Sequence, residues 1–364
     1  MKNRFFKLIL ICAAVLFALA GCAVGPRAES TPGLAANDSH LFVSAANMVY
    51  KIDLLNGIEV WRYPTEKNVR MMTYAPVLLN DETFLFGDMY NTLHKLNIEN
   101  ANQVLWQFKE AKGWYQSKVA EKNDVVIAPN TDRNVYAINS KDGTLLWKHE
   151  DTFAFIAEPL IIDDLVIISS QDHEILWLDL NTGEEVYEPF PMNGAVVSKP
   201  LFIEETGLIY IGSLGDEFVA IDPKTQKEIW RYEGTIDELS SIWATPIYLD
   251  GQLIFNDDLG NVISVDPLTG KENWTLASLG KMLAGLAALG DDKFLVASEN
   301  GEISVYDLER RPVRQFQIEK AKIYTTPLVT DNLIIISPVG APALIYAYGF
   351  ELSGMPTWTY KPGK

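Results

Sequence analysis

Short apolar strings separated by polar turns run the length of this chain. LVIISS from Leu165, LIYIGS from Leu208 and LIIIS from Leu333 each open on four apolar residues with no alternation. Such a run predicts a strand covered on both faces. VYAINSKDGTLLW, from Val135 to Trp147, reads as a strand end, a tight turn and the start of a returning strand. Tyr136 and Ile138 fall on one face and Ala137 on the other, because strand side chains alternate with period two. Asn139 ends the strand, Asp142-Gly143 makes the turn, and Trp147 lies on the return. Gly takes the positive φ that closes such a turn at no steric cost.

The same phrase recurs as YKIDLLNGIEVW to Trp61, VAIDPKTQKEIW to Trp230 and ISVDPLTGKENW to Trp274. LWLDLNTGEEVY has Tyr187 in the Trp position, the copies ending at Trp106 and Trp358 carry one extra residue, and the most worn ends near Phe316. The strand-end position is Asp53, Asn97, Asn139, Asp179, Asp222, Asp266, Asp307 and Gly349, at successive spacings of 40 to 44 residues. Each unit opens on a short strand, marked by Pro in six copies; an apolar strand, a polar hairpin and the phrase with its Trp follow. Repeats of this length with four short strands predict an all-β fold, an eight-bladed β-propeller of four-stranded antiparallel blades over residues 31–364. Whether the first unit lends a strand to the last blade to close the ring is left open by the phase of the repeat.

Composition changes this picture little: 48% hydrophobic and 11% aromatic residues are ordinary for a globular chain. Charge excludes more. The formal net charge is −18, and removal of a leader holding Lys2, Arg4 and Lys7 leaves 27 basic against 48 acidic residues, or −21. A field of that sign repels phosphate backbones, so nucleic acid is not an expected partner. MKNRFFK is a basic start, LILICAAVLFALA an apolar core, and Leu19-Ala20-Gly21-Cys22 resembles the bacterial lipobox. Residues 1–21 are therefore read as a lipoprotein signal peptide, Cys22 as the lipidated residue, and residues 22–30 as a short tether. The eight residues Ala23 to Ser30 span at most roughly 27 Å. Ala23, where an Asp would favour inner-membrane retention, points to the periplasmic face of the outer membrane in a diderm cell and to the outer face of the cell membrane otherwise. Cys12 and Cys22 are the only cysteines, so the mature chain is expected to hold no disulfide.

A-x-D-x-x-T-G-x-x-x-W resembles the tryptophan-docking motif of pyrroloquinoline-quinone-like (PQQ-like) propeller repeats. There the Trp of one blade stacks on the turn of its neighbour. The resemblance assigns blade docking to Trp61, Trp106, Trp147, Trp230, Trp274 and Trp358, with Tyr187 and Phe316 as weaker substitutes. Quinoprotein dehydrogenases share the repeat, but they are longer and marked by an adjacent Cys–Cys pair and calcium ligands; this chain has neither that pair nor a D-x-D-x-D-G loop. The layout of lipobox, short tether and eight blades is similar to that of the BamB family of outer-membrane β-barrel assembly lipoproteins. That resemblance implies a monomeric, non-catalytic scaffold that binds protein partners and reaches the membrane through the lipid on Cys22. No cofactor and no metal follow from it.

Candidate chemistry is sparse. His40, His94, His149 and His173 are scattered over different repeats and make no metal-ligating spacing. No nucleophile elbow is present, and Gly212-Ser213-Leu214-Gly215 is a hairpin. Asp132, Asp172, Asp216, Asp257 and Asp258 could ring one mouth of the channel and hold a cation, but turn chemistry explains them more simply. Trp114, Trp177 and Trp243 lie outside the docking positions. The two longest connections run 15 residues from Trp61 to Pro76 and 16 from Trp230 to Pro246. They carry Arg70, Met71, Met72 and Trp243, the candidate partner-binding residues, together with Tyr74, Ile236, Leu239 and Ile242. Long loops on a rigid scaffold are where binding tends to be placed, but these could equally fold back over their own blades. Two readings stand: a membrane-tethered scaffold for protein, or an enzyme or sensor holding a quinone, sugar or polysaccharide in the central funnel.

Overall fold

The computed structural model describes residues 31–363 apart from 67–70, 80–81, 102, 234–238 and 352–353. The leader, Cys22 and the tether therefore lie outside the described residues. Thr31–Lys364 forms one compact unit. Among the described residues it contains 32 strands and no helix. Blade 1 is built from β1 (Gly33–Ala36), β2 (His40–Ala45), β3 (Met48–Asp53) and β4 (Glu59–Tyr63). Blades 2 to 8 span residues Thr73–Phe108, Ala120–Glu150, Leu160–Pro191, Leu201–Arg231, Ile247–Leu276, Ala287–Gln317 and Leu328–Tyr360. Each blade is a separate antiparallel sheet of four strands consecutive in the chain. First strands of neighbouring blades approach one another, as Gly33–Ala36 does Thr73–Leu78 and Ile247–Leu249 does Ala287–Leu289, so they form the inner wall.

The unbroken apolar runs are explained by where the core sits. It lies between blades: Ile127, Val135 and Ala137 of blade 3 pack against Val166, Ile168 and Leu176 of blade 4 in one buried cluster. A second or third strand thus has a neighbour on each face. Burial of these side chains supplies the main stabilising term, at about 25 cal/mol per Å² of apolar surface.

Four of the joints are then fastened near their outer edge by a repeated device. The strand-end Asp or Asn accepts the N–H two residues on, as Asp179 Oδ1 does from Asn181 at 2.9 Å, and Gly183 N donates back to Asp179 O at 2.8 Å. Third and fourth strands shift register at the same place, between Lys51/Ile52, Ala137/Ile138 and Ala220/Ile221 among others. A bulge re-aims the side chain beside it, and that side chain is the Trp. Trp147 leaves blade 3, lies on Gly183 in the turn of blade 4, and donates Nε1–H to Leu180 O at 2.9 Å. Gly183 has φ +74°, and a Cβ there would stand 2.3 Å from Trp147 Cε3. Trp106, Trp230 and Trp358 lie on Gly143, Gly270 and Gly57 and donate to Ser140, Pro267 and Leu54 at 2.8 to 2.9 Å.

The other joints differ. Trp61 donates to Ile98 O at 2.8 Å but stacks on Phe84, there being no Gly in that turn. Trp274 donates instead to Gln252 Oε1 of its own blade, at 2.8 Å. Tyr187 is exposed, and the last strand of blade 4 shrinks to Phe190–Pro191. Phe316 packs on Tyr348 of blade 8, ring centroids 4.7 Å apart. Trp177, outside the docking set, is wholly buried in the blade 4–5 core.

Among the described residues, ring closure uses no exchanged strand. Blade 8 meets blade 1 through Trp358 on Gly57, a shared apolar cluster with Tyr50, Ile335 and Tyr360, and the Thr325 hydroxyl, which donates to Pro32 O at 2.6 Å. The Tyr360 hydroxyl donates to Glu59, which Arg62 also holds through two bonds of 2.6 Å. Burial alone would raise the Glu59 pKa; the bonds from Arg62 and Tyr360 outweigh it and lower it. Tyr232 makes the equivalent contact, donating to Glu272 at 2.6 Å across the joint of blades 5 and 6.

Candidate partner-binding surface

Connections between blades follow one rule. In blades 2 to 8 a residue of the second-to-third-strand hairpin donates its N–H to a carbonyl in the connection entering that blade, as Met89 does to Met72, Thr131 to Trp114, Asp258 to Ser241 and Val339 in exchange with Lys322, at 2.8 to 3.1 Å. All connections and these hairpins therefore share one end of the propeller, including the two long ones. The residue after each acceptor turns inward: Thr73, Tyr115, Phe155, Ile242 and Ile323 are all buried. Ile242 sits where a Cβ on Gly212 would come within 2.3 Å, so the strand-like parity turns Trp243 outward.

This parity sorts the candidates. Trp243 is 40% exposed. Met72 is partly buried, its Sδ 3.7 Å from the Tyr74 hydroxyl. Met71 corrects the sequence reading: it is 5% exposed, packed with Phe42, Phe84 and Phe86, and not available to a partner. Arg70 and Ile236 lie outside the described residues. Each long loop thus folds one side chain back over its blade, Met71 or Ile242, and beside it leaves Met72 partly buried and Trp243 exposed. Tyr90 and Phe153, not singled out in the sequence, and Trp114, named there only as lying outside the docking positions, are exposed at the same end on blades 2 to 4. Trp114 carries the same parity as Met72, and only the hairpin bond from Thr131 reveals it.

Two residues past each acceptor lies a further ring of positions: Tyr74, Gln116, Trp243 and Tyr324, of which Tyr74, Gln116 and Tyr324 line a cavity at the channel mouth. Met72 and Trp243, grouped together by sequence, therefore occupy different rings.

The titratable groups on this end serve structure. His94 Nε2 lies 2.9 Å from Asp88 Oδ2, and its ring stacks on Phe86 at 4.7 Å. Asp257 accepts from Asn261 N at 2.9 Å and Nδ2 at 2.7 Å, and Asp132 accepts from Asn134 N at 3.1 Å and the Tyr136 hydroxyl at 2.7 Å. Near blades 3 and 4, burial and the neighbouring Asp172, Asp151 and Glu185 push the Glu174 carboxyl above its usual pKa. Among the described residues no three His, Cys, Asp or Glu side chains gather as a metal would need. The sequence also holds no adjacent Cys pair.

Comparison with known proteins follows the fold. The family described as outer membrane protein assembly factor BamB is matched by residues 22–232, 198–310 and 258–362. The outer membrane protein assembly factor BamB of Shewanella oneidensis is 23% identical over 308 residues, covering 78% of this chain and 76% of that protein. A quinohemoprotein alcohol dehydrogenase of Comamonas testosteroni is 26% identical over 160 residues, covering 38% of this chain and 22% of the enzyme. Among solved structures, BamB from Moraxella catarrhalis superposes with a TM-score of 0.71 at 16% identity, covering 84% of this chain and 92% of that one. A computationally designed protein, Ika8, gives 0.73 at 16% identity over 88% of this chain and 96% of its own. At such identities the structural likeness speaks for the fold alone.

Proposed function

Because this chain belongs to the family described as outer membrane protein assembly factor BamB, we propose that it is a non-catalytic scaffold of the cell envelope that binds protein partners in outer-membrane β-barrel assembly. The observation that carries this reading, beyond membership, is the set of side chains turned outward at one end of a rigid ring. Trp243 and Met72 stand on connections four blades apart, hence on opposite sides of the channel. Met, Trp and Arg are the types enriched in interface cores, and Trp243 is 40% exposed. Trp243→Ala or Met72→Asp is expected to weaken capture of envelope partners from the native cells by about 1–3 kcal/mol, typical of a hot-spot residue, with the melting temperature almost unchanged. Capture by the double variant at wild-type strength moves the site to another face. A large loss of stability in either variant makes these residues part of the fold instead.

Lipid attachment at Cys22 and removal of residues 1–21 complete the proposal. Stable membrane attachment takes more than one acyl chain, which a lipidated N-terminal Cys supplies. Cys22→Ser is expected to move the protein from the membrane pellet to the soluble fraction of its own cells; pelleting that persists after a high-salt wash means another anchor. The segment similar to alcohol dehydrogenases supports a second reading as a quinone-dependent enzyme. Calcium-dependent dye reduction by the purified protein with alcohols or sugars would put that reading first.

A further inference from the structure

The central channel has a layered lining that the scaffold reading does not use. At the mouth, Tyr74 and Tyr324 stand in the ring of positions two residues past each connection carbonyl. Two residues deeper along each chain comes a polar layer containing Lys118, Glu158, Lys199, Thr245 and Thr326. Three charges occur in that layer, and two of them cancel: Lys199 Nζ lies 2.9 Å from Glu158 Oε1. Thr326 Oγ1 is engaged by Gly285 N at 2.8 Å, and Thr245 Oγ1 donates to Lys199 O at 2.9 Å. Lys118 is left over. It is partly buried and, among the described residues, has neither an ion pair nor a hydrogen bond.

Lys118 lines a cavity of about 380 Å³ together with Tyr74, Tyr324, Gln116, Leu34 and Leu328. That volume lies in the range of small-ligand sites, which combine apolar and aromatic walls with a few polar anchors. Lys118 is the one ionisable amine or acid on this wall. A partly buried ammonium that makes no ion pair with the described residues is open to an incoming anion. The rest of the protein is acidic, at −18 overall, but its field is screened over about 8 Å at physiological salt. Local charge therefore decides.

We propose that the mouth of the channel binds a small organic carboxylate with an apolar or aromatic body. The carboxylate pairs with the Lys118 ammonium, the Gln116 amide stands beside it, and the body lies between Tyr74 and Tyr324. Tyr324 is held by its hydroxyl bond to Glu299 Oε1 at 3.2 Å. Trp243 is not among the residues of this site, whereas Met72 accepts from the Tyr74 hydroxyl, so capture by Trp243→Ala tests the scaffold reading separately and failure of the site leaves that reading untouched.

Phenylacetate, its neutral isostere phenylacetamide and inorganic phosphate serve as probes, followed by saturation-transfer NMR on the purified full chain. Phenylacetate is expected to bind and phenylacetamide not. Lys118→Met raises the Kd for phenylacetate about tenfold or more, as loss of a charge-assisted hydrogen bond does, while Lys118→Arg retains binding. Lys148→Met, which alters an exposed lysine of blade 3, leaves the Kd unchanged. Equal binding of the amide, or an unchanged Kd in Lys118→Met, overturns the proposal. Displacement of phenylacetate by an equal concentration of phosphate overturns it too, since that marks a bare cation and not a site with an apolar half. The comparison of acid with amide is made on the wild-type chain and needs no variant to fold.

Discussion

Trp147→Ala is expected to lower the free energy of unfolding by about 3–5 kcal/mol, the range for emptying a large aromatic site. Three losses coincide in that variant. The indole is buried among Ile127, Phe155 and Leu180, its N–H bond to Leu180 O disappears, and Gly183 is left facing a void. Blades 3 and 4 lose the clamp at the outer edge of their joint while the inner strands stay packed. Trp114→Ala is the control. Its indole is 41% exposed, so the change should fall within about 0.5 kcal/mol, as surface substitutions do. Denaturant midpoints at equal slope measure both, and equal shifts would mean that the outer clamp contributes nothing special.

Gly183→Ala approaches the same joint from the other side and is expected to cost about 2–5 kcal/mol. Roughly 1–2 kcal/mol of that comes from placing an L residue at φ +74°. The remainder, about 1–3 kcal/mol, comes from driving a methyl into the Trp147 ring. Gly207→Ala separates the two terms. Gly207 has nearly the same φ, +69°, and a Cβ added there would meet nothing within 4 Å. It should therefore show the backbone term alone. In a Trp147→Ala background the steric term should vanish, so the two substitutions at the joint are expected to be strongly non-additive. Simple additivity in that cycle would mean that the ring does not rest on Gly183.

The eight units were legible because each blade carries its own full set of strand, turn and bulge residues. Most of the joint was not, for a physical reason. The Gly and the Trp within one phrase serve different joints: Gly143 receives Trp106, whereas Trp147 travels on to Gly183. Inspection of the phrase ending at Trp274 therefore gives no warning that the following turn, Asp307 to Arg310, offers no Gly, and that Trp274 settles on Gln252. The same limit applies to the loops. Met71 and Met72 are chemically alike, and only the bond between Met89 N and Met72 O sets which one faces the core. Lys118 was passed over because a lone lysine before a strand has no signature; its meaning depends on Glu158 being held by Lys199.

Closure by side chains alone also governs how the ring comes together. The Trp joints within the chain tie residues 33 to 37 apart, whereas Trp358 and Leu54 are separated by 304 positions. That is roughly three doublings of loop length, an added closure entropy of about 2 kcal/mol. Seven joints are therefore local and can form in sequence as each new blade emerges, and the eighth joins segments 304 positions apart. Until residue 360 has been made, blade 1 waits with its open face, Leu34, Val43 and Tyr50 among it, exposed to whatever else is nearby.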